Sequence, residues 1–487
     1  MDALVDVLAD VDAVGDEDCA RAALRVLGDR PTLVVRLDEH ARRVLWNSSY
    51  HSPALNRLAS RLDGTPAGPI AVALASTHTD GRVRERAIAA MLDRPSPELM
   101  PFLALRTGDW VAQVRDRARG GLAVLFADDP GTYLPAALPT VLLLEPRLRG
   151  GFAYTQAFAA LITAPVTVRE ALAGAAERRQ RRFVFDVART QGWLGLDDLL
   201  AAAESDDVWI RVRAAEAACR EAVWTRRLPV LERLARSRRA DVRALALTGL
   251  VRVGEDTTVV GHLADDAPLV RAVARDAARR CGADVLGYYR TAVTEPAPPA
   301  GAIAGLAETG TAADAALLRP LLTHDSGTIR AQAVRALGQL NAADIDATIP
   351  LLRDPSPAVV REATAALRPF PRRVAAGLAW QLLAEARAEL RRAGYRLLRD
   401  RPTALHLRAA LILTVDPDAG LARRGLADVT RLAREAAQPS WRSVPRPELL
   451  VTAAEHAELT ELAHQAAPAL GNDTTGLLTA WLTDSGA

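Results

Sequence analysis

Apolar and polar positions along this chain repeat in blocks of 28 to 32 residues. The clearest block opens with the polar turn His324-Asp325-Ser326-Gly327 and continues with Ile329, Ala333, Ala336 and Leu337. The next opens with Asp354-Pro355-Ser356-Pro357 and continues with Val359, Ala363, Ala366 and Leu367. Apolar residues at i, i+4, i+7 and i+8 form one stripe of an α-helix. The small residue at i+4 lets a neighbouring helix come close. A helix this short cannot bury its stripe alone, so successive copies must stack.

The first eighty residues read as irregular helices, starting with Leu4, Val5, Val7 and Leu8. Turn signals stand at Asn47-Ser48-Ser49 and Asp63-Gly64-Thr65-Pro66. Leading aliphatic residues then mark clear copies at Val83 and Val114. From Asp128 to Thr167 the pattern blurs around Pro130, Pro135, Pro139, Pro146 and Pro165, which predicts distorted loops or a bend. It returns at Ile210, Val242, Val270, Ala300, Ile329, Val359 and Leu390, and weakly at Leu421. After Gln438-Pro439 the period is lost, and an acidic, helical tail runs from Trp441 to Ala487. The expected organisation is an N-terminal helical cap of degenerate repeats (1–70), a repeat array irregular around 128–190 (71–435), and a C-terminal helical cap (436–487). The period predicts an all-α fold, an α-α superhelix of about 13–15 helix pairs.

Composition agrees with close-packed helices. Hydrophobic residues make up 49% of the chain but aromatic ones only 4%, so the apolar mass is Ala, Leu and Val rather than the side chains a β-sandwich wants. The 61 basic and 59 acidic residues leave a net charge of +2, which supplies no global field for nucleic-acid binding. Every basic residue is Arg, and a guanidinium forks onto carboxylates or phosphates better than an ammonium does. No apolar run is long enough to span a membrane, and the acidic start (Asp6, Asp10, Asp12) does not read as a signal peptide. A cytoplasmic location is expected. Cys19, Cys219 and Cys281 are scattered, which speaks against structural zinc and a disulfide framework.

A signature of Asp, a short gap, aliphatic-Arg, then Ala and Ala-Leu stands at Asp80/Arg84, Asp109/Arg115, Asp206/Arg211, Asp266/Arg271 and Asp325/Arg330. Over roughly residues 70 to 430 this resembles the HEAT-like repeats, particularly the short class first described in phycobilisome lyases. The resemblance implies an armadillo/HEAT-type solenoid of antiparallel helix pairs, with the second helix of each pair lining the concave face. It also implies that the turn Asp caps the second helix and that the Arg bonds to neighbouring turns as a ladder. These ten residues are therefore expected to be structural, each cap contributing roughly 0.5–2 kcal/mol. Val360 stands at the Arg position of the Asp354 copy, so the ladder is expected to be interrupted there.

Familiar catalytic signatures are missing. No GxGxxG, GxxxxGK[ST] or GxSxG stands in a convincing context, and His51-Ser52 is a loop pair with no identifiable acid. His456 and His464 are too far apart for one metal. Neither metal nor cofactor is expected. Two basic regions draw notice. Arg178, Arg179, Arg181 and Arg182 precede Trp193, Trp209 and Trp224, a mixture suited to stacking on bases and contacting phosphates. Acidic residues dilute it, 11 against 15 Arg over 177–243. The second region is the ridge Arg387, Arg391, Arg392, Arg396, Arg399 and Arg401, where Arg392, Arg396 and Arg399 share a helix face that an acidic partner could use. The expected function is a non-enzymatic scaffold or adaptor holding a protein or peptide on its concave face. The alternative is a nucleic-acid-binding protein, extending to DNA-glycosylase-like chemistry, which requires Trp193, Trp209 and Arg178 to Arg182 to converge on one face. A third reading, a lyase-like or chaperone-like role on a small ligand, requires a deep apolar pocket.

Overall fold

The computed structural model describes residues 1–46, 67–438 and 447–485. The turn signals at Asn47-Ser48-Ser49 and Asp63-Gly64-Thr65-Pro66, the pair His51-Ser52, and Pro439 and Trp441 lie outside the described residues. All regular structure among the described residues is helical. Contacts divide the chain into two units, Met1–Ala217 and Ala218–Ala487. Each unit is built as an α-solenoid of the HEAT/armadillo type, from helix pairs stacked in series.

In the first unit the second helices of successive pairs are Gly81–Asp93, Ala112–Asp128, Gly151–Thr163 and Arg178–Thr190, each touching the next. The N-terminal helices Asp2–Val14 and Glu17–Gly28 pack on Pro69–Ala75, and Pro31–Trp46 packs on Pro130–Leu144. In the other unit the series runs through Ala240–Arg252, Pro268–Arg280, Ala300–Thr309, Gly327–Gln339, Pro357–Leu367 and Ala388–Arg399. The terminal helices Ala453–Leu470 and Asn472–Ser485 close that unit against Thr403–Leu413 and Ala419–Ala436.

The apolar stripe does the packing. Val359, Ala363 and Leu367 are buried, as are Ile329, Ala333, Ala336 and Leu337. The small residue at i+4 is where each second helix crosses the first helix of its own pair. After Leu390 it is Gly394, where an added Cβ would lie 2.5 Å from the Ala379 carbonyl oxygen. After Leu421 it is Gly425, where a Cβ would lie 2.7 Å from that of Ala410.

Five second helices also share their ending. A residue in the left-handed region closes the helix at Gly192, Arg226, Gly254, Gly282 and Asn341. The next amide then bonds back to a carbonyl five residues earlier, Trp193 to Ala188, Arg227 to Ala222, Glu255 to Leu250, Ala283 to Ala278 and Ala342 to Leu337, at 2.8 to 3.0 Å. This Schellman closure satisfies end carbonyls and reverses the chain at a fixed angle. Glycine adopts it without a Cβ penalty and Asn tolerates it, whereas Arg226 holds φ 52 against its preference.

Prolines explain where the pattern blurs. Pro135 and Pro139 lie inside the helix Pro130–Leu144, not in a loop. Four residues apart, they share one partly exposed face, so their missing N–H groups fall on the same side. In later repeats Pro320 and Pro350 turn the first helix into a 3₁₀ segment, Arg319–Thr323 and Pro350–Arg353.

Gly425→Ala should destabilise the protein by about 1–3 kcal/mol, because the new methyl meets backbone that cannot move aside. Gly338→Ala, where a Cβ meets open space in the last turn of Gly327–Gln339, should be neutral or stabilise by up to about 1 kcal/mol. Urea unfolding midpoints of the two variants test this; equal shifts would contradict the packing described.

Candidate partner-binding face and its arginine ladder

The turn before most of these second helices opens with a side chain that accepts the amide two residues on. Asp109, Asp207, Asp265, Asp354 and Asp416 take the amides of Val111, Trp209, Ala267, Ser356 and Asp418 at 2.7 to 3.0 Å. His78 and His324 do the same through Nδ1, at 2.9 and 3.0 Å. Such turns pre-shape the backbone for the coming helix.

In several second helices an arginine in the first turn reads two turns at once. Its Nη1 donates to carbonyls of its own turn: Arg84 to His78 and Thr79, Arg271 to Asp265 and Asp266, and Arg330 to His324 and Asp325, at 2.7 to 2.9 Å. Its Nε and Nη2 fork onto the carboxylate of the following turn: Arg84 on Asp109, Arg243 on Asp265, Arg330 on Asp354 and Arg391 on Asp416, at 2.7 to 2.9 Å. Only a planar five-donor group can make both sets of bonds.

This relocates several acids of the sequence reading. Asp266 and Asp325 contribute backbone carbonyls to Arg271 and Arg330, and the carboxylates that accept Arg243 and Arg330 are those of Asp265 and Asp354. Asp80 caps its helix by accepting the Arg82 amide at 2.8 Å. Asp206 offers its carbonyl to Arg211 at 3.5 Å, and Arg211 donates to the Ser205 carbonyl at 2.8 Å. Arg115 donates to the Asp109 carbonyl at 3.1 Å. Arg271 finds Glu308, at the end of the next second helix, because the proline-rich turn before that helix carries no Asp. At the Asp354 turn, Val360 is buried in the arginine's place. Arg387 from the following turn supplies the missing donors, to the Asp354 and Pro355 carbonyls at 3.0 and 3.1 Å.

Arg84 and Asp109 are fully buried, and Arg106, 1% exposed, joins Asp109 to Asp38 at 3.0 and 2.6 Å. Burial pushes the Asp109 carboxyl up, but the Arg84 hydrogen bonds and the Arg106 charge outweigh it and hold the group below the usual carboxylate range. Asp265, Asp354 and Asp416 balance burial against Arg243, Arg330 and Arg391 with the same net downward result. An open cavity of ≈ 470 Å³ lies over this network, lined by Asp38, Arg106, Asp109, Trp110, Leu144 and Arg149.

The Arg/Trp region is taken up largely by the same machinery. Arg181 donates to the Ala175 and Ala176 carbonyls at 2.6 and 2.7 Å, and Arg182 forks onto Asp207 at 2.8 and 2.9 Å. Two neighbours here divide what a single arginine does elsewhere. Arg178 is 3.7 Å from Asp207, and Arg179 is exposed. Trp209 stands edge-on to Phe185, with the Arg213 guanidinium 4.4 Å and the Arg182 guanidinium 5.9 Å from its ring centre. Trp193 belongs to the Schellman closure beyond the far end of the helix Arg178–Thr190 and lies under Arg169 at 4.4 Å. From Phe185 to Trp193 the chain advances on the order of 12 Å along the axis. Trp209 packs beside Phe185 and Trp193 lies beyond the C-terminal end of that helix, each with an arginine of its own over the ring. Trp224 is the last residue of the helix Val208–Trp224, 90% exposed.

A buried polar cluster escaped the sequence reading. Tyr395 donates its hydroxyl proton to Asp428 at 2.6 Å, with His406 Nε2 3.4 Å from the Tyr395 oxygen. Arg424 forks onto Asp428 at 2.8 and 3.2 Å, and Arg399 and Arg431 stand 3.6 and 3.5 Å away. Burial, and then the Asp428 carboxylate, pushes the Tyr395 hydroxyl far up, while burial pushes His406 down. The signal was an acid, Asp428, in the apolar stripe between Gly425 and Val429.

No family model matches the chain, and no curated protein does. Among solved structures it is similar to an engineered protein at 16% identity, covering 87% of this chain and 97% of that one, with a TM-score of 0.20. It is similar to Kap95p from a complex with RanGDP at 12% identity, over 99% of this chain and 66% of that one, TM-score 0.30. A Kap121p mutant matches at 12% identity over 99% of this chain and 62% of that one, TM-score 0.32. This chain spans less than two thirds of the length of those last two. Scores this low join no common global geometry, and they carry neither family nor function to this chain.

Asp109→Asn should cost about 3–5 kcal/mol, because it strands two buried guanidiniums. Asp400→Asn, which breaks the partly exposed pair with Arg368, should cost at most about 1 kcal/mol. Chemical denaturation of both proteins measures the difference. The ladder carboxylates have depressed native values, so their contribution is complete above about pH 5 and is lost as pH falls through about 4 and below. A stability that stays level from neutral pH down to about 3 would contradict this assignment.

Proposed function

We propose that this chain is a non-enzymatic α-solenoid scaffold or adaptor that binds a protein or peptide partner on the face lined by its second helices, in the cytoplasm. The observation that carries this reading is the register of those helices. Arg361 and Ala365 on Pro357–Leu367 and its C-cap Arg368 are exposed at i, i+4 and i+7. Arg392, Arg396 and Arg399 occupy the equivalent positions of the adjacent Ala388–Arg399. The ladder holds the helix starts in line, so exposed stripes from successive helices join into one elongated surface. Such a surface suits an extended partner, and repeat arrays of this kind gain binding area by adding units. The likeness of the turns to the short HEAT-like class supports the same reading. Among the described residues no helix is long and apolar enough to cross a membrane.

A photo-crosslinking amino acid at Ala365 or Ala427, both exposed on second helices, should capture a stoichiometric protein from native-host lysate treated with nuclease. The same probe at Gln381, exposed on the first helix Ala376–Leu383, should not. Capture from Gln381 alone, or adducts that vanish with nuclease, would overturn the reading.

A further inference from the structure

We propose that the last four second helices of the repeat array form a docking surface for an acidic peptide segment, centred on Arg396. This rests on the scaffold reading and names the partner's chemistry. The exposed stripe changes character along the array. On Pro268–Arg280 and Ala300–Thr309 it includes Asp276 and Glu308. From Gly327–Gln339 onward the equivalent positions hold Arg335, then Arg361 and Arg368, then Arg392, Arg396 and Arg399, with Gly338, Ala365 and Ala427 between them. No Asp or Glu stands among them.

Most of these guanidiniums are held in place. Arg368 forks onto Asp400 at 2.6 and 3.0 Å, and Arg361 pairs with Glu362 at 3.1 Å. Arg392 stands 3.8 Å from Asp418, and Arg399 stands 3.6 Å from the buried Asp428 that Tyr395 anchors. Arg396 and Arg335 have no carboxylate partner among the described residues. Burial and then the charges of Arg392, Arg368, Arg361 and Arg399 push the Arg396 guanidinium down, which places four like charges around it. A partner that brings a carboxylate to Arg396 relieves that crowding and can form a bidentate pair with it. The small residues on either side leave room for a backbone to lie across the helices.

The chemistry favours a peptide over nucleic acid. Glu362, Asp400 and Asp418 border the stripe and would oppose a phosphate at every step of a strand. An acidic peptide can set its carboxylates on Arg396 and Arg335 and neutral residues against that border. No aromatic side chain stands among the exposed positions to stack a base.

The test is fluorescence anisotropy of the full chain with three labelled probes: a synthetic Asp/Glu-rich peptide, a neutral Ser/Gly peptide of equal length, and single-stranded DNA. The acidic peptide should bind, more weakly as salt rises, and the neutral one should not. Arg396→Glu and Arg335→Glu should each weaken binding roughly tenfold or more. Neither should lower the Tm, since neither has a carboxylate partner among the described residues, and Arg279→Glu on an earlier helix should leave affinity unchanged. The proposal is overturned if the acidic peptide does not bind, if Arg396→Glu binds it as the native chain does, or if DNA binds more tightly through the same arginines. If Ala365 crosslinks a partner while the acidic peptide fails, the scaffold reading stands and the acidic-partner inference falls.

Discussion

The stacking of repeats rests above all on a guanidinium that bonds to two consecutive turns. A helix pair of about thirty residues buries too little surface to fix its orientation alone. The arginine supplies that orientation: its Nη1 ties down the turn it follows, while its Nε edge takes the carboxylate of the next turn. Because Arg84 and Asp109 are fully buried, a misplaced repeat would leave both charges unmatched in a dry interior. The ladder therefore contributes more to the placement of each repeat on the next than to net stability, since burying an ion pair costs about what its attraction returns.

Exceptions to the ladder show how firmly the geometry is required. Glu308 reaches in from the end of a helix where a proline-rich turn has lost its Asp. Arg387 donates from a later turn where Val360 has replaced the arginine. Arg181 and Arg182 split one residue's work between them. In each case the donors and acceptors survive although the residues supplying them move, because an unsatisfied buried turn carbonyl or carboxylate is expensive.

The same accounting separates structure from surface in the Arg-rich stretches. Arg181, Arg182 and Arg391 are consumed by turns, so the basic cluster before Trp193 leaves much less free charge than its composition suggests. One helix face away from Arg391, Arg392 and Arg396 are turned out of the ladder. Position on the helix, not local arginine density, decides which guanidiniums a partner can meet.

Much of the fold is legible in the sequence. Period and composition dictate helices, the small residue at i+4 dictates a close crossing, and the Asp–Arg spacing announces a ladder, because each is a property of local geometry. What the chain alone could not convey is which residues meet across repeats. Spacing within a repeat does not tell Asp265 from Asp266, and only the stacked turns show which one faces Arg243. Trp193 and Trp209 look like neighbours in a basic region, yet a Schellman closure sends one to the far end of the helix. Asp428 resembles a stray acid in an apolar stripe until Tyr395, His406 and Arg424 close around it. Sequence determines local conformation through short-range sterics and hydrogen bonding, whereas the partner of a buried charge is set by long-range packing that only the assembled repeats define.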